Sequence, residues 1–409
     1  MHGLRCVAGG KVVLRIRGER GCRAYPGRRG DRLLGEVARV VDLILLRSGL
    51  QAALCAVTGL SRTTVTAVVL DLLGAGALVE VAHGRTDGPG RPIRRLQLAP
   101  RSDLVVAVDF GHSHCRVGIV DARGEVLAER NDALDVDASA DRALDHARRI
   151  IAALIAQVDR TRISGGAVGV PAPVDARTGA VRPGNVLPRW IDRRPAQELQ
   201  AATGVAFGVD NDANLGALAE AAYGVARGVA DLIYVKASTG IGAGLMLSGR
   251  IHHGVTGRAS EIGHVPVDPS GPICRCGNRG CLETAASVGQ VLLAMQPRHG
   301  EQLTLADVID LVKQSDPGAV RVVGDAGRAI GRVLADVVNN LNPEMLVLGG
   351  ELAAAGEPFR SAVSQSIERY TQPGIARELH IKLGALAGRS ELIGAAALAL
   401  STAEHHSVR

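Results

Sequence analysis

A chain of 409 residues that is 46% hydrophobic can bury more than one core, so it is no miniprotein and two or three domains are expected. The net charge is +6, and the positive excess lies at one end of the chain. Residues 1–100 hold 16 basic and 7 acidic residues, whereas the remainder holds 31 basic and 34 acidic residues. A basic first quarter is typical of a nucleic-acid-binding domain. The sequence has no apolar run of about 18 residues and no apolar leader, which argues against a membrane span or secretory signal and predicts a cytoplasmic protein.

Residues 1–30 form a basic segment with eight lysine and arginine residues, one acidic residue and repeated glycine. Apart from a short apolar run at 12–16, the segment has neither a helical nor a strand-like period. We expect a disordered basic arm, or residues added by a start codon upstream of the natural one. An arm that contacts DNA phosphates is the alternative.

Residues 31–100 have the pattern of a small DNA-binding domain. Apolar residues recur at three- and four-residue steps over 31–47, which predicts an amphipathic helix, and a second short helix is predicted over 51–58. A turn is expected at Gly59-Leu60, and Ser61 occupies the N-cap position of the helix that follows. This succession predicts a helix-turn-helix.

The outward face of the second helix of this motif begins with short polar side chains and one arginine. In a helix-turn-helix, this N-terminal end meets the edges of the bases. We therefore assign DNA binding to Ser61, Arg62, Thr63 and Thr66. An ordinary helical hairpin with a solvated face would give the same pattern.

Two strand-like runs, 78–81 and 93–98, flank a loop rich in glycine and arginine. This arrangement predicts a wing beside the helix-turn-helix. The arginines of the wing would lie near phosphate and give salt-dependent affinity rather than sequence preference. They are Arg85, Arg91, Arg94 and Arg95.

After a short linker at 101–103, the sequence predicts an α/β region. Strands are expected over 104–109, 115–120, 125–130 and 163–170, with a helix over 144–158. The order partly recurs with strands at 231–236, 245–247 and 345–348 and a helix over 319–341. Such an order indicates mixed sheets covered by helices.

Two stretches of this region have polar or glycine-rich character. Asp210-Asn211-Asp212 follows a strand-like run at 207–209 and opens a helix that runs toward Tyr223. The helix dipole favours acidic residues there, so capping explains the stretch as well as ligand binding does. The loop 238–244 has backbone amides that can cradle phosphate, although Gly-x-Gly patterns are common.

The most specific motif is a cluster of soft metal ligands, a histidine followed after nine residues by three cysteines. Their types and spacing fit a closed tetrahedral zinc site, which is structural because no position is left for a catalytic water. The ligands are His264, Cys274, Cys276 and Cys281. Gly277 and Gly280 allow the chain to bend there with positive φ. Three buried, reduced cysteines in a turn are the alternative.

The stretch Gly263-His264-x9-Cys-x-Cys-Gly-x2-Gly-Cys-x-Glu283 resembles the signature of the ROK family, which comprises bacterial sugar-responsive repressors and sugar kinases. The resemblance covers residues 104–400. It implies a two-lobed, actin-like ATPase fold with a ligand cleft between the lobes. A winged helix-turn-helix at 31–100 is similar to the N-terminal half of the repressors of this family.

The resemblance also implies a sugar site. In this family Glu261, His264 and Glu283 would reach sugar hydroxyls, with His264 also a zinc ligand, while Asn211 would bind the sugar and Asp212 would be the general base of a kinase. Asn185 and the loop 169–175 are further candidates for the cleft. The single tryptophan, Trp190, is as open to core packing as to sugar stacking.

Phosphate loops are implied as well, with one departure. Thr239, Gly240 and Gly242 match the second loop, and Gly349-Gly350 matches the adenosine-side turn, which an ordinary glycine turn would also explain. The first loop, approximately Asp-x-Gly-Gly-Thr in kinases of this type, here reads Asp109-Phe-Gly111-His112-Ser113-His114. The imidazoles should crowd the position of ATP phosphates and magnesium, although Ser113 retains one hydroxyl.

We therefore expect a DNA-binding transcriptional regulator, a repressor of carbohydrate-metabolism genes, with a zinc-supported domain that binds a sugar or sugar phosphate. Its partner would be a double-stranded operator, read by a homodimer or homotetramer. The alternative is an ATP-dependent sugar kinase with an appended DNA-binding domain, which would need ATP and magnesium. A regulator that has lost its ligand is a third reading, disfavoured by the retained sugar residues. Residues 401–409 are expected to be a tail.

Overall fold

The computed structural model describes residues 103–182, 186–386 and 388–406, together with shorter pieces before them. Those pieces are residues 4–7, 11–14, 23–26, 63, 66, 70, 78–82 and 94–98. The chain divides into two units, of which one is Asp103–Leu400 and the other comprises Met1–Ser102 and Ser401–Arg409.

The segment expected to be a disordered arm contains a small antiparallel sheet. Its strands are β1 (Leu4–Val7), β2 (Lys11–Leu14) and β3 (Arg23–Pro26), paired in that order. Pairing satisfies the backbone hydrogen bonds of each short strand, although no single strand is long enough to show a period in the sequence.

A second antiparallel pair coincides with the strands predicted for the wing. β4 (Leu78–Ala82) pairs with β5 (Arg94–Leu98), so that Leu78 is opposite Leu98 and Ala82 is opposite Arg94. The loop between the two strands, with Arg85 and Arg91, lies outside the described residues.

Thr63, Thr66 and Leu70 are helical, as the helix-turn-helix prediction requires of them. Their spacing of three and four residues places them on one helix face, and Thr63 and Leu70 are exposed. The predicted helices over 31–47 and 51–58 lie outside the described residues, as do Ser61 and Arg62.

The unit from Asp103 to Leu400 is built on two five-stranded mixed sheets. The strands of the first are β6 (Leu104–Phe110), β7 (His114–Asp121), β8 (Val126–Ala133), β9 (Ile163–Val170) and β10 (Phe207–Asn211). Their order is β10-β9-β6-β7-β8; the pairs β6–β7 and β7–β8 are antiparallel, and β6–β9 and β9–β10 are parallel. Every residue of β6 is buried, as befits a central strand covered on both faces.

The second sheet repeats this connectivity strand for strand. It contains β11 (Leu232–Ala237), β12 (Ile241–Leu247), β13 (Arg250–Ile251), β14 (Met345–Gly349) and β15 (His380–Leu383). The order is β13-β12-β11-β14-β15, again with the first three strands antiparallel and the last two added in parallel. The partial recurrence seen in the sequence is therefore a complete repetition of one topology.

Helices cover the two sheets. They are α1 (Ala140–Ile155), α2 (Pro195–Thr203), α3 (Asp212–Ala222), α4 (Glu283–Ala286), α5 (Val288–His299), α6 (Leu305–Lys313), α7 (Pro317–Leu341), α8 (Glu357–Tyr370), α9 (Pro373–Glu378) and α10 (Ser390–His406). Helix α1 begins earlier than predicted because the Ser139 side chain accepts the backbone N–H of Arg142 and caps it. Helix α10 continues to His406, so the segment expected to be a tail begins as helix.

Each sheet has its own apolar core, formed with α1 and α2 in the first lobe and with α5 to α8 in the second. Within the described part of the chain, none of the helices combines the length and the apolar character that a membrane crossing requires. The carboxyl ends of β6, β10, β11 and β14 face a common cleft, which is where open α/β sheets bind ligands.

Candidate functional site

A cleft of about 340 Å³ lies between the two sheets, a volume within the range of small-molecule sites. Most of the residues predicted for the sugar and phosphate sites line it. These are Asp109, Gly111, Ser113, Asn211, Asp212, Thr239, Gly240, Gly242, Glu261, His264, Glu283 and Gly350. Gly349 lies behind the wall, where an added Cβ would be 2.1 Å from the Tyr234 hydroxyl. Asn185 lies outside the described residues.

Asn211 and Asp212 begin helix α3 at the floor of the cleft. The Asn211 Oδ1 atom accepts the backbone N–H groups of Ala213 at 2.9 Å and Asn214 at 3.4 Å, which is an N-cap. The Asp212 Oδ1 atom accepts the N–H of Ala213 at 2.8 Å. Asn211 therefore caps the helix, which is one of the two roles that the sequence left open. The second oxygen of Asp212, Oδ2, is not used by the cap and can contact other side chains.

Lys236, at the end of β11, is the partner of that second oxygen. Its Nζ atom donates to Asp212 Oδ2 at 2.7 Å and lies 4.0 Å from Glu391 Oε1, which also accepts the Tyr234 hydroxyl at 3.2 Å. Burial lowers the pKa of Lys236, but the nearby carboxylates of Asp212, Glu391 and Asp109 outweigh it, so the pKa is raised and the ammonium persists.

Lys236 and Glu391 were not predicted from the sequence. The available signal for Lys236 was a lone lysine in the otherwise apolar strand Leu-Ile-Tyr-Val-Lys-Ala. Glu391 gave no comparable signal, because an acidic residue in the first turn of a helix is common. Burial raises the pKa of Glu391, and the charge of Lys236 opposes this effect.

The first loop is filled by imidazole, as its sequence predicts. His114 Nε2 lies 3.2 Å from Asp109 Oδ2, and a Cβ added to Gly111 would be 2.2 Å from the His114 ring. Burial raises the pKa of Asp109, but His114, Lys236 and Arg116 together hold it below its usual value. His112 is anchored separately, with Nδ1 2.7 Å from Asp137 Oδ1.

The opposite wall of the cleft is acidic. Glu261 and Glu283 line it, and burial raises the pKa of Glu261 to about 7, assisted by the negative charges of Asp212 and Glu283. Glu283 Oε2 accepts the backbone N–H of Ile241 at 3.3 Å, and Glu283 Oε1 lies 3.3 Å from Arg275 Nε. Carboxylates placed in this way can accept hydrogen bonds from sugar hydroxyls.

Arg275 also joins this wall to the first lobe. Its Nη1 atom lies 3.6 Å from Asp137 Oδ2, and Asp137 in turn holds His112. Arg275 stands between the two cysteines of the Cys-x-Cys motif and was not predicted from the sequence. A chain of side-chain contacts thus connects the cysteine loop, the acidic wall and the loop that holds His112.

The four predicted metal ligands converge beside this wall. Their ligand atoms lie within 4.8 Å of one another, with 3.6 Å between His264 Nδ1 and Cys274 Sγ and 3.7 Å between Cys276 Sγ and Cys281 Sγ. A zinc tetrahedron with Zn–S bonds of about 2.3 Å has sulfur–sulfur edges of about 3.8 Å, so the donor set fits zinc. The other ring nitrogen, His264 Nε2, lies 3.7 Å from Glu261 Oε2.

Two glycines bend the cysteine loop, as the sequence predicts. Gly277 has φ of 97° and Gly280 has φ of 61°, the left-handed region that glycine adopts without strain. A Cβ on Gly280 would lie only 1.6 Å from the carbonyl oxygen of Asp268. The loop can therefore close around a metal only with glycine at this position.

The glycine-rich loop serves packing as well as lining the cleft. A Cβ on Gly244 would be 2.4 Å from the carbonyl oxygen of Ala213, so this glycine lets helix α3 approach β12 closely. A Cβ on Gly240 would be 3.1 Å from Glu283 Oε2. Close approach explains Gly244, and a phosphate-binding role for Thr239, Gly240 and Gly242 stays a prediction.

Of the two roles left open for Trp190, the structure shows packing. The ring is fully buried, its Nε1 donates to the carbonyl oxygen of Val136 at 2.9 Å, and it meets Phe110 edge-on at 5.2 Å between centroids. In the loop 169–175, Pro171 to Pro173 line the cleft, whereas Asp175 caps a turn and pairs with Arg182.

Comparison with known proteins gives consistent results. The model of the ROK family matches residues 105–402. The xylose repressor of Bacillus subtilis is 29% identical over 335 residues, which cover 80% of this chain and 85% of the repressor. A crystal structure of a ROK family transcriptional regulator, a homologue of the Escherichia coli Mlc protein, is 26% identical with a TM-score of 0.72 and covers 92% of this chain and 98% of its own. A ROK family glucokinase from Streptomyces griseus, in complex with glucose and AMPPNP, is 26% identical with a TM-score of 0.64 and covers 73% of this chain and 99% of its own.

Proposed function

The chain belongs to the ROK family, and from this membership we propose that it is a DNA-binding transcriptional regulator, a repressor of carbohydrate-metabolism genes whose effector is a sugar. One observation carries the choice within the family. The regulator structure covers 92% of this chain and the glucokinase covers 73%, so the similarity to the regulator extends over a larger part of the chain than the kinase lobes occupy. The basic first 100 residues and the paired strands β4 and β5 support DNA binding by a winged helix-turn-helix.

We assign the sugar to the acidic wall and floor of the cleft. Asp212, Glu261 and Glu283 supply carboxylate oxygens, and charge-assisted hydrogen bonds to such oxygens are stronger than neutral ones. Asn211 contributes its amide next to them. Residues from both lobes meet here, so a bound sugar would change the relation between the lobes and thereby DNA binding.

Zinc would be held by His264 and the three cysteines and would have a structural role. A metal on His264 Nδ1 would leave a proton on Nε2, the nitrogen that faces Glu261. His264 would then donate a hydrogen bond toward the sugar in a fixed orientation. The metal site would in this way position one wall of the effector site.

The second candidate function, an ATP-dependent sugar kinase, is favoured by Asp212 in the cleft and by the similarity to a glucokinase. Three contacts weigh against it. Lys236 occupies the oxygen of Asp212 that a general base would need, His114 occupies Asp109, and the His114 ring lies over Gly111. We therefore propose that the chain binds sugar without phosphorylating it.

The test is a gel-shift titration of the purified full chain on its own upstream DNA, with and without a panel of sugars that includes D-xylose and D-glucose. We expect one sugar to shift both the DNA affinity and the melting temperature of the protein. Asp212→Asn should weaken this response and leave DNA binding in sugar-free buffer intact. Asp325→Asn, a matched change on the exposed face of α7, should leave both unchanged. DNA binding that is absent, or indifferent to the whole panel, would reject the proposal.

Operator recognition by such a regulator would need two copies, since paired half-sites are read by dimers. We propose a homodimer or homotetramer acting in the cytoplasm. Light scattering of the free chain and of its DNA complex measures the stoichiometry directly.

A further inference from the structure

We propose that Lys236 is the resident cation of the cleft: it occupies, among the carboxylates of Asp109, Asp212 and Glu391, the place that a divalent cation would otherwise take, and it makes the domain a receptor for an uncharged sugar. The inference rests on the proposed function for the nature of the ligand. The part that concerns the cation stands on contacts within the chain.

The three carboxylates are too buried to remain without a counter-charge. Asp109 is 2% exposed, Asp212 is 7% exposed and Glu391 is 5% exposed. Buried carboxylates persist as anions only when they are paired with a cation or bind a metal. Oxygen clusters of this kind are the ligands preferred by magnesium and calcium.

Lys236 supplies the counter-charge from within the chain. Its ammonium donates to Asp212 Oδ2 at 2.7 Å and lies 4.0 Å from Glu391 Oε1, and the side chain is 13% exposed. The His114 ring lies beside Asp109, with 3.2 Å between Nε2 and Oδ2. A divalent cation that entered this group would meet the Lys236 ammonium and the His114 ring where it needs oxygen ligands.

The remaining groups of the cleft define the charge of the ligand. Glu283 and Glu351 line the cleft, and the positive charge of Lys236 is already matched by Asp212. Two further cations near the cleft are paired in turn, Arg116 with Glu129 and Arg275 with Glu283. An anionic ligand would therefore be repelled unless a metal accompanied it, which selects a free sugar over a sugar phosphate.

One oxygen of this group has no partner within the described residues. It is Asp109 Oδ1, which has almost no accessible surface. A buried acceptor without a partner is rare and costly in a native protein, so this carboxylate depends on nearby cationic and donor groups.

The experiment compares the response of melting temperature to millimolar magnesium in zinc-loaded full-length protein and in Lys236→Met. The wild-type chain should not respond to magnesium. Lys236→Met should melt several degrees lower in magnesium-free buffer, because it leaves buried carboxylates unpaired, and magnesium should restore most of this loss. Lys313→Met, which alters an exposed lysine on α6, should behave as the wild type.

A second variant decides the case in which Lys236→Met does not fold. Lys236→Met combined with Asp212→Asn removes both charges of the pair, so the double variant should fold and should not respond to magnesium. Failure of the double variant to fold, stabilisation of the wild type by magnesium, or a folded Lys236→Met that ignores magnesium would each overturn the assignment of Lys236.

The preference for a free sugar over a sugar phosphate is tested separately, by the melting temperature in the presence of each compound. The wild type should be stabilised by a free sugar and not by the corresponding sugar phosphate, and tighter binding of the phosphate would overturn that part of the inference. A chain that responds to neither compound would reject the proposed function, while the magnesium experiment would still decide the role of Lys236.

Discussion

The ring of His114 lies over Gly111, with its Nε2 3.2 Å from Asp109 Oδ2, so one imidazole covers both the glycine and the acid of the first phosphate loop. Phosphoryl transfer depends on positioning the phosphates and on cations that neutralise their charge. An imidazole at this place would exclude phosphate by its volume and would compete for the acid that magnesium needs. We therefore propose that this loop does not bind nucleotide.

We accordingly expect no appreciable phosphoryl transfer. In a coupled assay of ADP release with magnesium, ATP and the sugar that shifts DNA binding, turnover should stay far below the usual enzyme median of about 10 per second. Turnover near that median that is abolished by Asp212→Asn would establish a kinase instead.

The cysteine cluster should contain one zinc ion per chain, measured by elemental analysis of protein purified without chelator. Cys281→Ser should lower the melting temperature more than Cys115→Ser does, because a structural ligand contributes to folding through the metal. Cys115 is the matched control, since it is a fully buried cysteine of β7, where a hydroxyl costs about 1–3 kcal/mol. Equal losses in the two variants, or protein without zinc, would contradict the assignment.

In the proposed DNA-binding domain, the helix should contact bases and the wing should contact phosphates. Arg62→Ala should reduce discrimination between operator and altered operator by about 1–3 kcal/mol, because a base contact is lost. Arg94→Ala should weaken binding to all sequences alike and reduce the salt slope by about 1, because a phosphate contact is lost. Gel-shift titrations at several salt concentrations measure both, with Arg328→Ala on α7 as the control. The reverse pattern would show that helix and wing have been misassigned.

Stability should depend on pH through His253, whose Nε2 lies 2.8 Å from Asp210 Oδ2. This hydrogen bond raises the pKa of His253 above its usual value, against an opposing effect of burial. The folded state thus binds the proton more tightly than the unfolded state, so the stabilisation is complete below the usual pKa of about 6.5 and is lost as pH rises through the folded value.

The free energy of unfolding should therefore contain a part that decreases as pH rises above about 6.5, and His253→Gln should remove that part. Urea titrations at a series of pH values measure the slope, and His380→Gln, at an exposed position of β15, is the control. A slope that is the same with and without His253 would disprove the role given to this pair.

The sequence predicted those parts of the fold that rest on local pattern. The apolar run Ile163–Val170 coincides with β9, and the helix predicted over 319–341 coincides with α7, which begins two residues earlier. Strand β12 was predicted only from 245 onward, because Gly242 and Gly244 interrupt its apolar pattern. Gly244 is required by tertiary packing, because helix α3 approaches the strand too closely for a side chain at this position.

In the cleft, too, features set by local sequence were predicted and features set by tertiary contacts were not. Ligand type and spacing were sufficient to predict the cluster of His264, Cys274, Cys276 and Cys281, because its cysteines lie within one loop. Lys236 and Glu391 were not predicted, because their meaning arises only when the end of β11 and the start of α10 are brought together. Trp190 remained ambiguous in the sequence, since packing and stacking use the same aromatic ring.

Helix α10 brings one carboxylate of the cleft from the first sheet to the second. It starts at Ser390 and holds Glu391 next to Lys236 and Tyr234 of β11. Its apolar residues Leu392, Ala395, Ala396 and Ala399 share one core with Val105, Ala107 and Ala167 of the first sheet. The contact between Glu391 and Lys236 therefore ties the two sheets together at the base of the cleft.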